Sequence, residues 1–257
     1  MKNDRDTSLQ SWEFLTLFLP RLRDLYDAVF YVPGNHELWY VGVGGAHEPL
    51  AYAEALAVHE GRPPTRDSLA KFVAVLRLCR RLGVRTAPAS LSDALHVCPF
   101  FSWYRDTLVD DGSPPSPHEL GFDAGCGWPA ALVAPGDAGS FRGGVADAML
   151  RFNERRATAA WAPPTGTVVT FSHFLPRREC YRGYRALAKV MGDPHLDAQL
   201  RAVRTAVHAC GHSHMDFDAT HDGVRYVQRA FGYPHERFGP FAGPLALDRA
   251  CASCPPR

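Results

Sequence analysis

Apolar residues recur at helical spacing through Trp12, Phe14, Leu15, Phe18, Leu19, Leu22 and Leu25. The spacing predicts a helix from a Thr7 or Ser8 cap to about Tyr26, with Pro20 placed to kink or split it. The period then changes. Ala28-Val29-Phe30-Tyr31 is a short β-branched and aromatic run, predicted to be a buried strand that stops at Pro33-Gly34. Two later runs have the same form. Val168-Val169-Thr170-Phe171 ends in Ser172-His173, and Val207-His208-Ala209-Cys210 ends in Gly211-His212-Ser213-His214. Between them the pattern predicts helices at 50–58 and 68–82, the second closed by Gly83. Residues 84–86 and 94–99 read as strands of a second sheet. Helical patterns return at 146–160 and near 183–204. A hairpin is expected from 215–220 and 224–228, turned by His221-Asp222-Gly223. Residues 110–145 carry many Pro, Gly and Asp with little periodicity. They read as a long surface loop over the site, with Gly125-Cys126-Gly127-Trp128-Pro129 as a plug. Strands alternating with helices make the fold class α/β.

Composition narrows this picture only slightly. The 257 residues suit one large domain, and 46% hydrophobic with 21% charged residues is ordinary for a globular chain. A formal net charge of +1 gives no bulk attraction to nucleic acid or to a membrane surface. Arg77, Arg80, Arg81 and Arg85 fall at helical spacing or just beyond and read as a solvated face. Seven cysteines without regular spacing favour a reducing compartment. Cys251-Ala252-Ser253-Cys254 has the spacing of a zinc knuckle but sits in a Pro-containing tail, so a frayed terminus is the simpler reading. The polar start resembles no signal or transit peptide, and the expected location is intracellular and cytoplasmic.

The candidate chemistry lies at the strand ends. Asn35 offers a neutral oxygen, and His36, His173, His212 and His214 offer ring nitrogens. Strands that deliver such donors at the same sheet edge are what a metal centre needs. In an extended segment His212 and His214 would point the same way, with Gly211 giving the freedom to turn them inward. Imidazole and amide donors suit Zn, Fe or Mn better than Mg or Ca. Bridging two cations needs an anionic oxygen, and no such carboxylate is evident. Glu37 reads as a structural hydrogen-bond acceptor. Arg177 and Arg178 can contact a phosphate or lie on the surface. His195, His208, His221 and His235 read as core or surface. Asp216 and Asp218 read as solvent-exposed, with a hydrogen bond to a ligand histidine as the alternative.

Gly34-Asn35-His36-Glu37, a strand-end His173, and Gly211-His212-Ser213-His214, in that order, resemble the calcineurin-like metallophosphoesterase superfamily over most of the chain. The resemblance implies two mixed β-sheets packed face to face and flanked by helices, as a domain at 1–240 with a flexible tail at 241–257. It implies two divalent ions (Mn, Fe or Zn) and a metal-bridging hydroxide that attacks phosphorus in a phosphoester substrate. Asn35, His173 and His212 would hold one ion and His214 the other. His36 would assist the leaving oxygen. The family's opening Asp-x-His and Gly-Asp are absent, so the chain reads as truncated at its amino end, with Asp4 and Asp6 near the place of the missing carboxylate. The alternative is a non-catalytic chain binding at most one metal. Substrate and oligomeric state are not legible.

Overall fold

The computed structural model describes residues 7–39, 67–109, 111–133, 143–158, 161 and 165–230. The expected helix at 50–58, Asp4, Asp6, His235 and the terminal Cys pair lie outside them. The described residues form a mixed α/β structure around one six-stranded sheet, in the order β1-β2-β3-β4-β6-β5. The strands are β1 (Ala89–Ser90), β2 (Leu95–Pro99), β3 (Thr167–Phe171), β4 (Thr205–Ala209), β5 (Phe217–His221) and β6 (Val224–Gln228). β2, β3, β4 and β6 run parallel, and β1 and β5 close the edges antiparallel. The central strands are apolar or hydrogen-bonded on both faces, as a covered parallel sheet requires.

The expected packing of two sheets face to face is not shown among the described residues. β2 joins β3 in register, Leu95 opposite Thr167 through Pro99 opposite Phe171, instead of seeding a second sheet. The expected strand at 28–32 is reduced to one parallel bridge between Phe30 and Arg85. Tyr31 N–H donates to the Arg85 carbonyl at 2.9 Å, and Arg85 N–H to the Val29 carbonyl at 2.8 Å. The hairpin at β5 and β6 is present, turned at Asp222 and Gly223 with φ of 48° and 82°.

The first helix, Thr7–Leu25, runs through Pro20 without splitting. Leu15 and Leu19, before the proline, bury against Val29, Val75, Leu78 and Cys79, and Leu22, after it, packs on the same cluster, so tertiary packing holds both sides of the proline. The Ser68–Arg81 helix buries Phe72, Val75, Leu78 and Cys79 at helical spacing and stops at Gly83, φ 69°. Its cap is Asp67, whose carboxylate accepts from Ala70 N–H at 2.7 Å. Asp67→Ala is expected to lower the unfolding free energy by about 1 kcal/mol, measured by urea denaturation. An unchanged midpoint would show the cap to be redundant. The expected helix over 183–204 is instead a 3₁₀ turn, Arg185–Val190, and a separate helix, His195–Ala202. Pro194 interrupts it. Gly192, just upstream, pairs so closely with Leu175 that an added Cβ would lie 1.9 Å from the Leu175 carbonyl oxygen.

Candidate metal centre

β3 and β4 are parallel neighbours with Phe171 opposite Ala209, so the chain leaves both at the same sheet edge. The pairing continues past the strands. Ser172 N–H donates to the Ala209 carbonyl at 3.0 Å, and Gly211 N–H donates to the His173 carbonyl at 2.9 Å. His173 and the Gly211–His214 turn are thereby locked side by side. The turn is not extended as expected. His212 and His214 themselves adopt the left-handed region, φ 66° and 54°, and Gly211 does not. Such values are costly for non-glycine residues and concentrate where a site dictates the backbone.

The third approach is the loop after the Phe30 bridge. His36–Leu38 forms a 3₁₀ turn, pinned by buried Leu38 and by Leu38 N–H on the Asn35 carbonyl at 2.9 Å. Glu37 accepts from Gly34 N–H at 2.7 Å, the structural role expected of it. Burial pushes its carboxyl up, and the Lys71 ammonium opposes that shift. Lys71 donates to the Trp39 carbonyl. Burial holds its amine down at about 8. Gly34 lies against His173 so closely that a Cβ there would fall 2.6 Å from the ring Cε1.

Asn35, His173 and His212 come together. His173 Nε2 is 3.0 Å from Asn35 Oδ1 and 3.1 Å from His212 Nδ1. The proton assignment follows from the partners behind each group. Asn35 Nδ2 donates to the Asp123 carboxylate at 2.9 Å, so its oxygen faces His173. His212 Nε2 lies 3.1 Å from the Val190 carbonyl, which only accepts, so that nitrogen carries the proton and Nδ1 presents a lone pair. His173 Nε2 therefore meets two acceptors. A proton on His173 Nε2 satisfies both acceptors, and a cation taking that proton's place would meet three neutral donors. The outer bonds, an imidazole N–H on a backbone carbonyl and an amide on a carboxylate, are the supports that metal-holding side chains use.

Electrostatics agrees with this assignment. Burial, followed by the neighbouring His36 and His214, holds the His173 ring down at about 3. Burial, then His173, lowers His212 as well, against the opposing Val190 carbonyl. Both rings retain some accessible surface, but their close packing makes charging them costly. Neutral imidazoles are the form that binds a metal. His36 and His214 are near enough to be felt by both rings. His214 is exposed, and His36 stacks on Trp39 at 4.2 Å between centroids. Among the described residues no group of three or more His, Cys, Asp and Glu side chains converges to hold a metal ion. The third donor of this trio is an amide oxygen.

Arg177 and Arg178 are not brought to the trio. Arg177 pairs with Asp222 at 2.7 Å, Glu179 at 3.0 Å and Asp197 at 3.5 Å. Asp222 lies in the turn before β6, toward the amino end of β4 and away from His212. Arg178 donates to the Tyr181 carbonyl at 2.6 Å. His208 is fully buried and hydrogen-bonded, His195 pairs with Asp193, and Asp216 and Asp218 pair with Arg229 and Arg225. Sequence reasoning missed Asp123, because nothing in an aperiodic segment marks which acidic residue turns inward. The one available signal was the long loop expected to cover the site.

No family model matches the chain, and no curated protein matches it. Among solved structures it resembles the phosphopantetheinyl hydrolase PptH from Mycobacterium tuberculosis, with TM-score 0.60 and 20% identity over 87% of this chain and 77% of that one. At that identity the likeness is one of fold. A second solved chain matches at TM-score 0.36 and 12% identity over 74% of this chain and 77% of its own, too distant to carry an argument.

These findings correct the family assignment drawn from the motifs. With no matching family model and a phosphopantetheinyl hydrolase as structural neighbour, membership of the calcineurin-like superfamily is withdrawn. The physical reason is that the motifs are a few residues each. Parallel strands readily place histidines at a shared edge, and the Asp-x-His and Gly-Asp that would complete the pattern are absent.

Proposed function

We propose that this chain is a metal-dependent hydrolase acting on a phosphoester. The observation that carries it is that Asn35 Oδ1 and His212 Nδ1 both present lone pairs to His173 Nε2, at 3.0 and 3.1 Å. The name of the structural neighbour, a phosphopantetheinyl hydrolase, directs the substrate class toward phosphoesters. A divalent ion (Mn, Fe or Zn) bound there would supply Lewis-acid polarisation of a phosphoryl oxygen. Asn35, His173 and His212 would hold the ion, with the exposed His214 as a further candidate donor from the same turn. A ring nitrogen of His36, seated on Trp39, delivers a proton to the leaving oxygen. Arg177 is committed to carboxylates, so substrate phosphate is oriented by other groups.

One observation favours a second reading, a chain that binds a single ion without turnover. The trio contains no carboxylate, so its donors are all neutral and bridging two cations lacks an anionic oxygen. Both readings are tested with the purified chain, Mn²⁺, and three substrates: an aryl phosphomonoester, an aryl phosphodiester and a phosphopantetheinyl ester. Calorimetry gives the metal stoichiometry. His212→Ala is expected to abolish Mn²⁺ binding. His36→Ala is expected to keep Mn²⁺ and lower turnover by about 10²–10⁴-fold. Binding without turnover on any substrate favours the second reading. Full Mn²⁺ binding by His212→Ala would overturn the site itself.

A further inference from the structure

We propose that Asp123 is a positioning residue that orients both the donor face of Asn35 and the seat of His36. The inference rests on the metal-site reading above and adds to it a residue from the loop that covers the site. Asp123 is 6% exposed, and a single carboxylate oxygen accepts two hydrogen bonds: Asn35 Nδ2 at 2.9 Å and Trp39 Nε1 at 2.7 Å.

The two bonds serve different groups. An amide has two nearly isosteric ends, and rotating Asn35 by half a turn would present NH₂ where the cation belongs. A carboxylate accepts and does not donate, so Asp123 selects the orientation that points Oδ1 at His173. The second bond fixes the Trp39 indole, and Trp39 is the surface on which His36 stacks at 4.2 Å. Gly125 reinforces the seat, since a Cβ there would lie 2.9 Å from Trp39 Cγ. One oxygen thus aligns a metal donor and a proton donor.

The segment that carries Asp123 is itself anchored. Ser116 and Glu119 form a reciprocal capping box, with Glu119 also accepting from Lys189 N–H at 2.8 Å. Downstream, Gly127 and Ser68 exchange bonds of 2.7 and 3.0 Å. Burying a carboxylate among neutral donors only (the Asn35 amide, the Trp39 indole and the Tyr104 hydroxyl) is costly beside an apolar filler, which favours a role in specifying geometry over one in stability.

The test uses the full chain and three variants. Asp123→Ala is expected to weaken Mn²⁺ binding by about 10–100-fold, as loss of a metal ligand's support does, and to lower kcat. Asp123→Asn still presents an oxygen to both donors and is expected to restore Mn²⁺ affinity to within about 3-fold, a rescue that follows from the acceptor inventory. Ser68→Ala loosens the same segment at Gly127 and is expected to lower Tm without changing Mn²⁺ affinity. In the metal-free chain, the side-chain amide of Asn35 and the indole N–H of Trp39 are expected to shift in the Asp123→Ala NMR spectrum. Absence of Mn²⁺ binding by the unmodified chain would defeat the metal reading alone, and the two NMR signals then decide the role of Asp123. Unmoved signals, or a Ser68→Ala variant that loses as much Mn²⁺ affinity as Asp123→Ala, would overturn the inference.

Discussion

Gly34→Ala should cut Mn²⁺ affinity and turnover on the order of 100-fold while leaving the fold intact. An added Cβ would lie 2.6, 2.7 and 2.8 Å from Cε1, Nδ1 and Nε2 of His173, inside any real carbon contact. The ring has to retreat, and it is the ring whose Nε2 meets both other donors of the trio. A displacement of about 1 Å at a reacting centre is worth roughly 10²-fold. The effect is steric, since Gly34 does not occupy the left-handed backbone region. Gly211→Ala is the matched control. Its Cβ would meet the His173 carbonyl at 3.5 Å and Nδ1 at 3.7 Å, ordinary contact distances, and Gly211 also lies outside the left-handed region. Near-normal metal binding is expected there. If Gly34→Ala bound Mn²⁺ as well as Gly211→Ala does, His173 would not be a ligand held in place by the loop.

The contrast between these glycines shows what the sequence could disclose. Both sit in conspicuous motifs, one where a strand is expected to stop and one where a turn is expected to need freedom. Chain order could anticipate that His173 and Gly211 leave the sheet at one edge, because parallel β3 and β4 in register must release them there. It could not say that Gly34 is a close approach, or that His212 and His214 make the turn themselves, since φ depends on contacts from elsewhere. The six-stranded sheet of the described residues was equally hidden. The residues of β2 are compatible with any parallel partner, and only the match of Leu95 to Thr167 assigns them to β3. Arg177 shows how the fold chooses between two readings that the sequence leaves open. An arginine four residues from a candidate ligand invited a substrate role. The fold instead carries it toward the hairpin turn and pairs it with Asp222, Glu179 and Asp197. Short motifs report which groups are available, and long-range pairing decides which of them meet.

The acid limb of the stability curve is expected to carry one proton from His208. This ring is fully buried between β3 and its own strand, and its hydrogen bonds fix its protonation. Ser172 Oγ donates its single proton to the Phe174 carbonyl at 2.7 Å, so His208 Nε2, 3.0 Å away, must donate to Ser172. Its Nδ1 then accepts from Thr170 Oγ1 at 2.8 Å. A second ring proton would meet the Thr170 hydroxyl donor to donor. Burial accordingly takes the imidazole from 6.5 down to about 3. In the unfolded chain the ring binds its proton near its ordinary value, so the unfolded state holds more protons below that point. The neutral network's contribution is therefore complete above about pH 6.5 and drains away as pH falls toward 3. The slope approaches about 1.4 kcal/mol per pH unit, and roughly 2 kcal/mol is lost between about pH 7 and pH 5. His208→Gln removes the titration. It should be less stable than the unmodified chain near pH 8, by about 1–3 kcal/mol for a disrupted buried network. That deficit should shrink by about 2 kcal/mol near pH 5. Urea midpoints at the two pH values measure the difference. A deficit that stays constant would mean that His208 titrates alike in both states. The clamp between β3 and β4 behind His173 would then not be the neutral ring that these hydrogen bonds require.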